Sequence, residues 1–151
     1  MQNQPSVEGI FSRPRRGLPS VALEAAQALA GRGVEGDHAF PASDPDREIT
    51  LIEAEALEAL VLETHISLEA AQTRRNLLTR GVRLNDLVGK EFLVGEVRLR
   101  GIRLCEPCAH LENMTQPGVL AGLLHRGGLR AAIVESGTIR LGDPIQAELD
   151  N

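Results

Sequence analysis

The sequence predicts a mainly β domain, a curled, barrel-like sheet carrying only a few helices. Three observations lead there. Short runs in which apolar and polar residues alternate recur along the chain, as half-buried strands require. Turns rich in glycine separate these runs, and the chain holds 15 Gly. The regular strand–helix alternation of a parallel α/β sheet is missing. At 151 residues the length fits one domain, residues 1–151, able to bury a core without disulfides or metals.

Val7 to Arg13 reads as the first strand, with Val7, Gly9 and Phe11 on one face and Glu8, Ile10 and Ser12 on the other. It runs into a basic turn, Arg13 to Gly17. Val21 to Ala30 is ambiguous: its Ala and Leu content favours a helix, while Val21, Leu23, Ala25, Gln27 and Leu29 alternate as in a strand. Gly31 to His38 is a glycine-rich turn without the spacing or the Lys-Ser/Thr ending of a phosphate loop. A polar loop follows, then a strand from Arg47 to Ile52. Glu53 to Leu62 has helical spacing at Ala54, Leu57, Leu60 and Val61, with its Glu residues as a solvated face. Ser67 is a candidate N-cap for a segment running to Thr73. In Arg74-Arg75-Asn76, two adjacent Arg on a strand point to opposite faces. Leu84 to Val88 is a turn of helix. Glu91 to Val94 and Val97 to Leu104 form a hairpin turning at Gly95-Glu96. Leu111 to His125 is helical, interrupted at Pro117-Gly118, with Leu120, Leu123 and Leu124 inward, and Gly127-Gly128 stops it. Leu129 to Glu135 and Thr138 to Leu141 read as a hairpin joined at Ser136-Gly137, and Pro144 to Leu149 as the last strand.

Composition narrows the function. A net charge of −5 gives no overall attraction to phosphates, so nucleic acid is not an expected partner. Three Phe without Tyr or Trp make no base-stacking platform. No apolar run reaches the length of a membrane span, and the N-terminus has no signal-peptide pattern. A cytoplasmic location is the expectation, and there cysteines rest as thiols. The sixteen basic residues are all Arg except Lys90. Genome composition accounts for such a bias as well as function does, so only clusters of Arg are informative.

Chemistry concentrates in Leu104 to His110, which holds both cysteines, Cys105 and Cys108, between a strand and a helix. The C-x-x-C admits a redox dithiol, three zinc ligands from Cys105, Cys108 and His110 with no fourth evident nearby though His125 is available, or a single thiolate binding the metal of a cofactor. Two buried cysteines without a role are the plain alternative. Arg74 offers a two-pronged grip on phosphate, and Asn76 both donates and accepts, as a pterin-like ring edge needs. Surface arginines and a turn asparagine would look the same. Asp37 and His38 are a candidate hydrogen-bonded pair near a site, or a cap on the next element.

Taken in order, these pieces resemble the MOSC domain of molybdenum-cofactor sulfurases and of stand-alone bacterial proteins. The residues that carry the resemblance are Gly33 to His38, Ile49 to Ile52, Arg74 to Leu77 with Gly81-Val82, Leu87 to Gly89 and Phe92 to Gly95. They continue with Glu106-Pro107-Cys108, Gly128 to Ala131, and Gly137 with Gly142 to Pro144. The resemblance spans about Val7 to Leu149.

It implies a barrel-like β fold in which Gln27 to Ala30 is strand. It implies molybdenum cofactor (molybdopterin) as the ligand, with Cys108 as catalytic residue and metal ligand. Arg74, Asn76, Asp37, His38 and Arg13 are the cofactor-binding candidates. One implied activity is reduction of N-hydroxylated small molecules. The chain has no flavin or iron–sulfur motif, so an external electron donor is then needed. The alternative is a non-catalytic module that carries sulfur as a persulfide on Cys108 or hands cofactor to another enzyme. In either case nearby charge from Arg74 or Arg103 favours a reactive thiolate. Cys105 lies outside the strict family pattern and could resolve a sulfur species on Cys108. The longer reductases have an additional N-terminal domain that helps clasp the cofactor. Here Arg13, Arg15 and Arg16 are candidates to replace part of that grip.

Overall fold

The structure, a computed structural model, describes residues 4–147. Eight strands form the main sheet. Its order is β11(Ile145–Ala147), β7(Glu91–Val94), β8(Val97–Leu104), β9(Leu129–Glu135), β5(Ile49–Glu53), β6(Leu77–Arg80), β1(Ser6–Ser12), β2(Val21–Leu23). A smaller sheet holds β10(Gly137–Arg140), β3(Ala25–Leu29) and β4(Gly33–Val34). The main sheet curls until Pro5 to Val7 meets Asp143 to Ile145. There the Val7 N–H donates to the Asp143 carbonyl at 2.9 Å and the Ile145 N–H to the Pro5 carbonyl at 2.9 Å. The contact is a short seam rather than a continuous ladder, so the barrel is nearly but not fully closed.

The pairing of β5 with β6 is parallel, and parallel neighbours need a crossover. Helix α1(Ala54–Thr64) supplies it. Its acidic residues are not merely solvated. Glu58 pairs with Arg80, Glu63 with Arg126, and Glu55 accepts the Gly81 N–H at 2.8 Å. They tie the helix to β6 and to the segment before β9. Two further short helices, α2(Ala109–Met114) and α3(Val119–Gly122), follow the cysteine loop.

The ambiguous stretch from Val21 is strand. Ala26 and Ala28 are buried while Ala25 and Gln27 are exposed, the period-two pattern that overrides alanine's helix preference here. Four local expectations are corrected. A bulge between Val7 and Gly9 shifts the register of β1, so Val7 and Ile10 both enter the core instead of facing apart. Leu129–Glu135 and Gly137–Arg140 are not a hairpin: β9 pairs in the main sheet and β10 crosses to pair with β3. In the helical segment Val119 and Leu123 are buried while Leu124 is exposed. The capping residue before Ala70–Thr73 is Glu69, whose N–H donates to Gln72 Oε1, and not Ser67. The expected last strand is described to Ala147, and its final two residues, Glu148 and Leu149, lie outside the described range.

Candidate functional site

Across one end of the main sheet, neighbouring strands place a row of polar groups. Arg103 of β8 pairs in register with Arg130 of β9, and Arg130 with Thr50 of β5. Asn76, just before β6, joins Thr50 to β1. Its Oδ1 accepts from the Thr50 N–H at 3.0 Å and the Thr50 hydroxyl at 3.2 Å, and its Nδ2 donates to the Phe11 carbonyl at 3.2 Å. Most of its capacity is spent inside the protein, so Asn76 acts first as the clasp between β5 and β1.

Above this row lies a cavity of about 450 Å³. Arg13, Asp37, His38, Arg74, Asn76 and Cys108, the six residues singled out from the sequence, all line it. Arg15 and Arg16 do not. Arg47, Arg75, Arg103 and Arg130 add to the walls, so among the described residues six guanidinium groups face three carboxylates, Asp37, Asp44 and Asp46. On a chain of net charge −5 this is a local reversal of sign.

The arginines differ in how far they are satisfied. Arg13 donates its backbone N–H to Asp37 Oδ1 at 2.9 Å and its Nη2 to His38 Nε2 at 3.0 Å. Arginine is only a donor, so His38 Nε2 accepts and the ring proton sits on Nδ1, which lies 3.4 Å from Asp37 Oδ2. Burial pushes the Asp37 carboxyl above its usual range, against the Ala39 N–H and His38, which hold it down. Arg103 pairs with Asp46 at 3.0 Å, and Arg130 Nη1 reaches the Asp46 carbonyl at 3.2 Å. Yet Arg13 Nη1 and Arg130 Nε are buried donors that find no partner among the described residues. A buried donor left unpaired costs about 1–3 kcal/mol.

The two cysteines part company. Cys105 is buried and Cys108 exposed, both as free thiols. Cys108 occupies the cap position of α2, and the loop between the two is pinned from two sides. Arg75 spreads its guanidinium over the carbonyls of Gly127 (2.9 Å), Thr73 (3.0 Å) and Cys105 (3.1 Å). Burial lowers its pKa, with the Cys105 sulfur, and more weakly that of Cys108, pulling the other way. The group stays charged, as arginine does. On the other side Glu106 takes the His125 backbone N–H at 2.6 Å and faces its Nδ1 at 2.7 Å. Gly127-Gly128 is therefore more than a helix stop. A Cβ on Gly127 would sit 2.6 Å from the Cys105 carbonyl oxygen, and one on Gly128 2.1 Å from that of Leu51. Only glycine lets the chain pass here.

The family profile of the MOSC domain matches residues 35–146. The chain belongs to the MOSC domain family. Among solved structures, the MOSC chain is similar to the YuaD protein from Bacillus subtilis, with TM-score 0.83 and 16% identity over 99% of this chain and 98% of that one. It is similar to YiiM from Geobacillus stearothermophilus, with TM-score 0.76 and 13% identity over 96% and 75%. YiiM from Escherichia coli gives TM-score 0.73 and 18% identity over 99% and 72%. At these identities the likeness is one of fold. No curated protein matches the sequence.

The MOSC profile begins after β1, so Arg13 joins the site through fold rather than through the matched segment. Two residues escaped the sequence reading. Arg75 was expected to share the strand with Arg74, one side chain in and one out. Instead Arg74 adopts a left-handed backbone, φ 67°, and Arg75 turns inward as the loop's pin. Arg130 was visible as the one charge within the apolar run Leu129 to Val134, a signal that a buried strand carries a functional or paired group. The zinc alternative finds no support in the structure. Among the described residues no three His, Cys, Asp or Glu side chains are grouped to hold a metal ion, and His125 is engaged by Glu106. Among the described residues no helix is long and apolar enough to cross a membrane.

Proposed function

We propose that this MOSC protein binds molybdenum cofactor in the arginine-lined cavity, with Cys108 as the metal's thiolate ligand. The observation that carries the reading is the meeting of an exposed thiol with six guanidinium groups in one cavity. Its volume falls in the range of small-molecule sites, about 300–1,000 Å³. The residues present fit such a group. The unpartnered donors on Arg13 and Arg130 suit phosphate or ring oxygens, and a thiolate is a metal ligand.

In this reading Arg13 and Arg74 grip the anionic part, and Asp37 with His38 fixes Arg13. Asn76 holds the floor together and offers its remaining donor hydrogen. Arg75 and Glu106 keep the Cys108 loop in place. When bound, the cofactor supplies two-electron oxo transfer, which suits reduction of N-hydroxylated small molecules. Electrons then come from an external donor, and a cytoplasmic setting keeps Cys108 reduced.

Sulfur carriage is the second reading, favoured by Cys105 lining the same cavity as Cys108. Here Cys108 carries a persulfide sulfur for a cofactor-handling enzyme.

The test is metal and pterin analysis of protein made in a molybdenum-replete host. Molybdenum and pterin near one per chain, lost in Cys108→Ser and reduced in Arg13→Gln, is the expected result. Zinc in their place, or molybdenum that survives Cys108→Ser, would overturn the reading. Cyanide-labile sulfur on Cys108, with no turnover of N-hydroxylated bases, selects the carrier.

A further inference from the structure

Arg15 and Arg16 stay out of the Cys108 cavity, but the loop that bears them borders it. The loop leaves the cavity wall at Arg13 and returns to it at Ser20, and Pro14 to Pro19 between them are all exposed. The Leu18 N–H donates to the Arg15 carbonyl at 3.2 Å and Gly17 takes a left-handed backbone, φ 87°, so the arginine pair rides on a closed turn. From Gly9 to Leu23 the sequence holds three arginines and no acid. Neither Arg15 nor Arg16 meets a carboxylate among the described residues. Arg47 and Arg83, exposed as well, stand 3.9 Å from Asp44 and 3.5 Å from Asp86. Leu18 at the turn and Met114 at the end of α2 are 49% and 51% exposed and line one hollow. An apolar centre with an arginine rim, set at a cavity mouth, has the make-up of a protein-docking surface.

We propose that this loop, with Leu18 and Met114, docks a small acidic electron-carrier protein and brings its carboxylate-ringed redox group to the mouth of the Cys108 cavity. The proposal rests on the reductase reading of that cavity for the need of a donor. Reducing one N-hydroxyl group to N–H takes two electrons from the carrier and two protons from solvent, and releases one water. A one-electron carrier therefore docks twice per turnover, and a carrier giving two electrons docks once. Such a partner must also leave. Exposed charges around a small apolar centre speed encounter without holding the complex long. A lipid surface fits less well. Basic segments that bind membranes carry about 4–8 Lys or Arg, and this loop has three on a chain of net charge −5.

The test is binding of the full chain to dye-labelled carriers, read by fluorescence anisotropy. A plant-type [2Fe–2S] ferredoxin and a flavodoxin serve as acidic carriers, and cytochrome c as a basic one. On net charge alone a chain of −5 attracts cytochrome c and repels the other two, and the loop is expected to reverse that order. Binding of an acidic carrier should weaken about ten-fold in Arg15→Glu/Arg16→Glu. It should also weaken between about 0.01 M and about 0.15 M salt, as the Debye length falls from about 30 Å to about 8 Å. Arg83→Glu/Lys90→Glu makes the same change of net charge at exposed positions off the loop and is expected to leave binding nearly unchanged. The proposal falls if neither acidic carrier binds, if cytochrome c binds as tightly as they do, or if the control pair weakens binding as much as the loop pair. It falls too if the loop pair abolishes sedimentation with phosphatidylglycerol vesicles while no carrier binds, which would give the loop to a lipid surface. None of these readouts needs molybdenum. Carrier binding by a protein that takes up no molybdenum would keep the docking surface and remove the metal reading, and the opposite result would remove the surface alone.

Discussion

Among the described residues there are two packing clusters of unequal size, and the candidate site lies between them. Nineteen buried residues, from Val7 to Ile145, fill the inside of the curled sheet. Five, Leu60, Leu68, Leu111, Val119 and Leu123, hold the helices together. The floor of the cavity, with Thr50, Asn76, Arg103 and Arg130, stands on strands of the large cluster. The wall that carries Cys108 belongs to the small one. Cooperative stability follows buried contacts, so the charged floor is the firmer half. The thiol wall is expected to open locally at lower cost than the floor.

Four substitutions break or sharpen this contrast. Phe92→Ala empties the large cluster at a fully buried ring and is expected to cost about 3–5 kcal/mol, measured by urea unfolding. A loss near zero would mean that the sheet's core collapses around the gap. Leu123→Ala strikes the small cluster, with an expected cost of about 2–4 kcal/mol. Hydrogen exchange should quicken in α2 and α3 while β8 and β9 keep their protection. Uniform quickening would show one cooperative unit rather than two.

Arg75→Met cuts the tie between the halves. It strands the carbonyls of Thr73, Cys105 and Gly127 at an expected cost of about 1–3 kcal/mol. Alkylation of Cys108 by iodoacetamide should change in rate, and an unchanged rate would deny Arg75 its role as pin. The smallest effect is at Asp46. The hydrogen bond from Arg103 holds its carboxyl below the ordinary 3.8. Its folded-state pKa lies under its unfolded value, so the contribution is present above pH 3.8 and is lost as pH falls through the lowered value. Arg103→Gln should flatten the stability curve in that acid window and leave it nearly unchanged at neutral pH. An acid limb that keeps its slope would assign the effect to Arg130.

What the sequence made legible follows the same division. The β7–β8 hairpin at Gly95-Glu96 was readable because local pattern and tertiary burial agree there, whereas Ala25–Leu29 stood between helix and strand on its own residues and was strand only by the family resemblance. The failures are long-range. Nothing near Ser136 says that β10 leaves its neighbour for β3, since that choice is set by a partner over a hundred residues earlier. The bulge at Gly9 moves Ile10 inward through register with β6, which the segment's own alternation does not encode. At the candidate site the sequence pointed to residues that share a cavity, and not to how they divide its hydrogen bonds. Six candidates reach one cavity, but only coordinates show that Asn76 spends its amide on Thr50 and Phe11 and that Arg75, not Arg74, anchors the cysteine loop.

The seam between Pro5 to Val7 and Asp143 to Ile145 joins stretches roughly 140 residues apart, about as non-local as a contact in this chain can be. On the ribosome β1 emerges first and waits longest for that partner. Until the last strand clears the exit tunnel, the Pro5 to Val7 end of β1 lacks that partner, while Arg13 beyond its other end is already held by Asp37 and His38. Closure of the seam is therefore a late event in the protein's birth, and in a nascent chain stalled before Asp143 the Val7 N–H should exchange with solvent faster than in the finished protein.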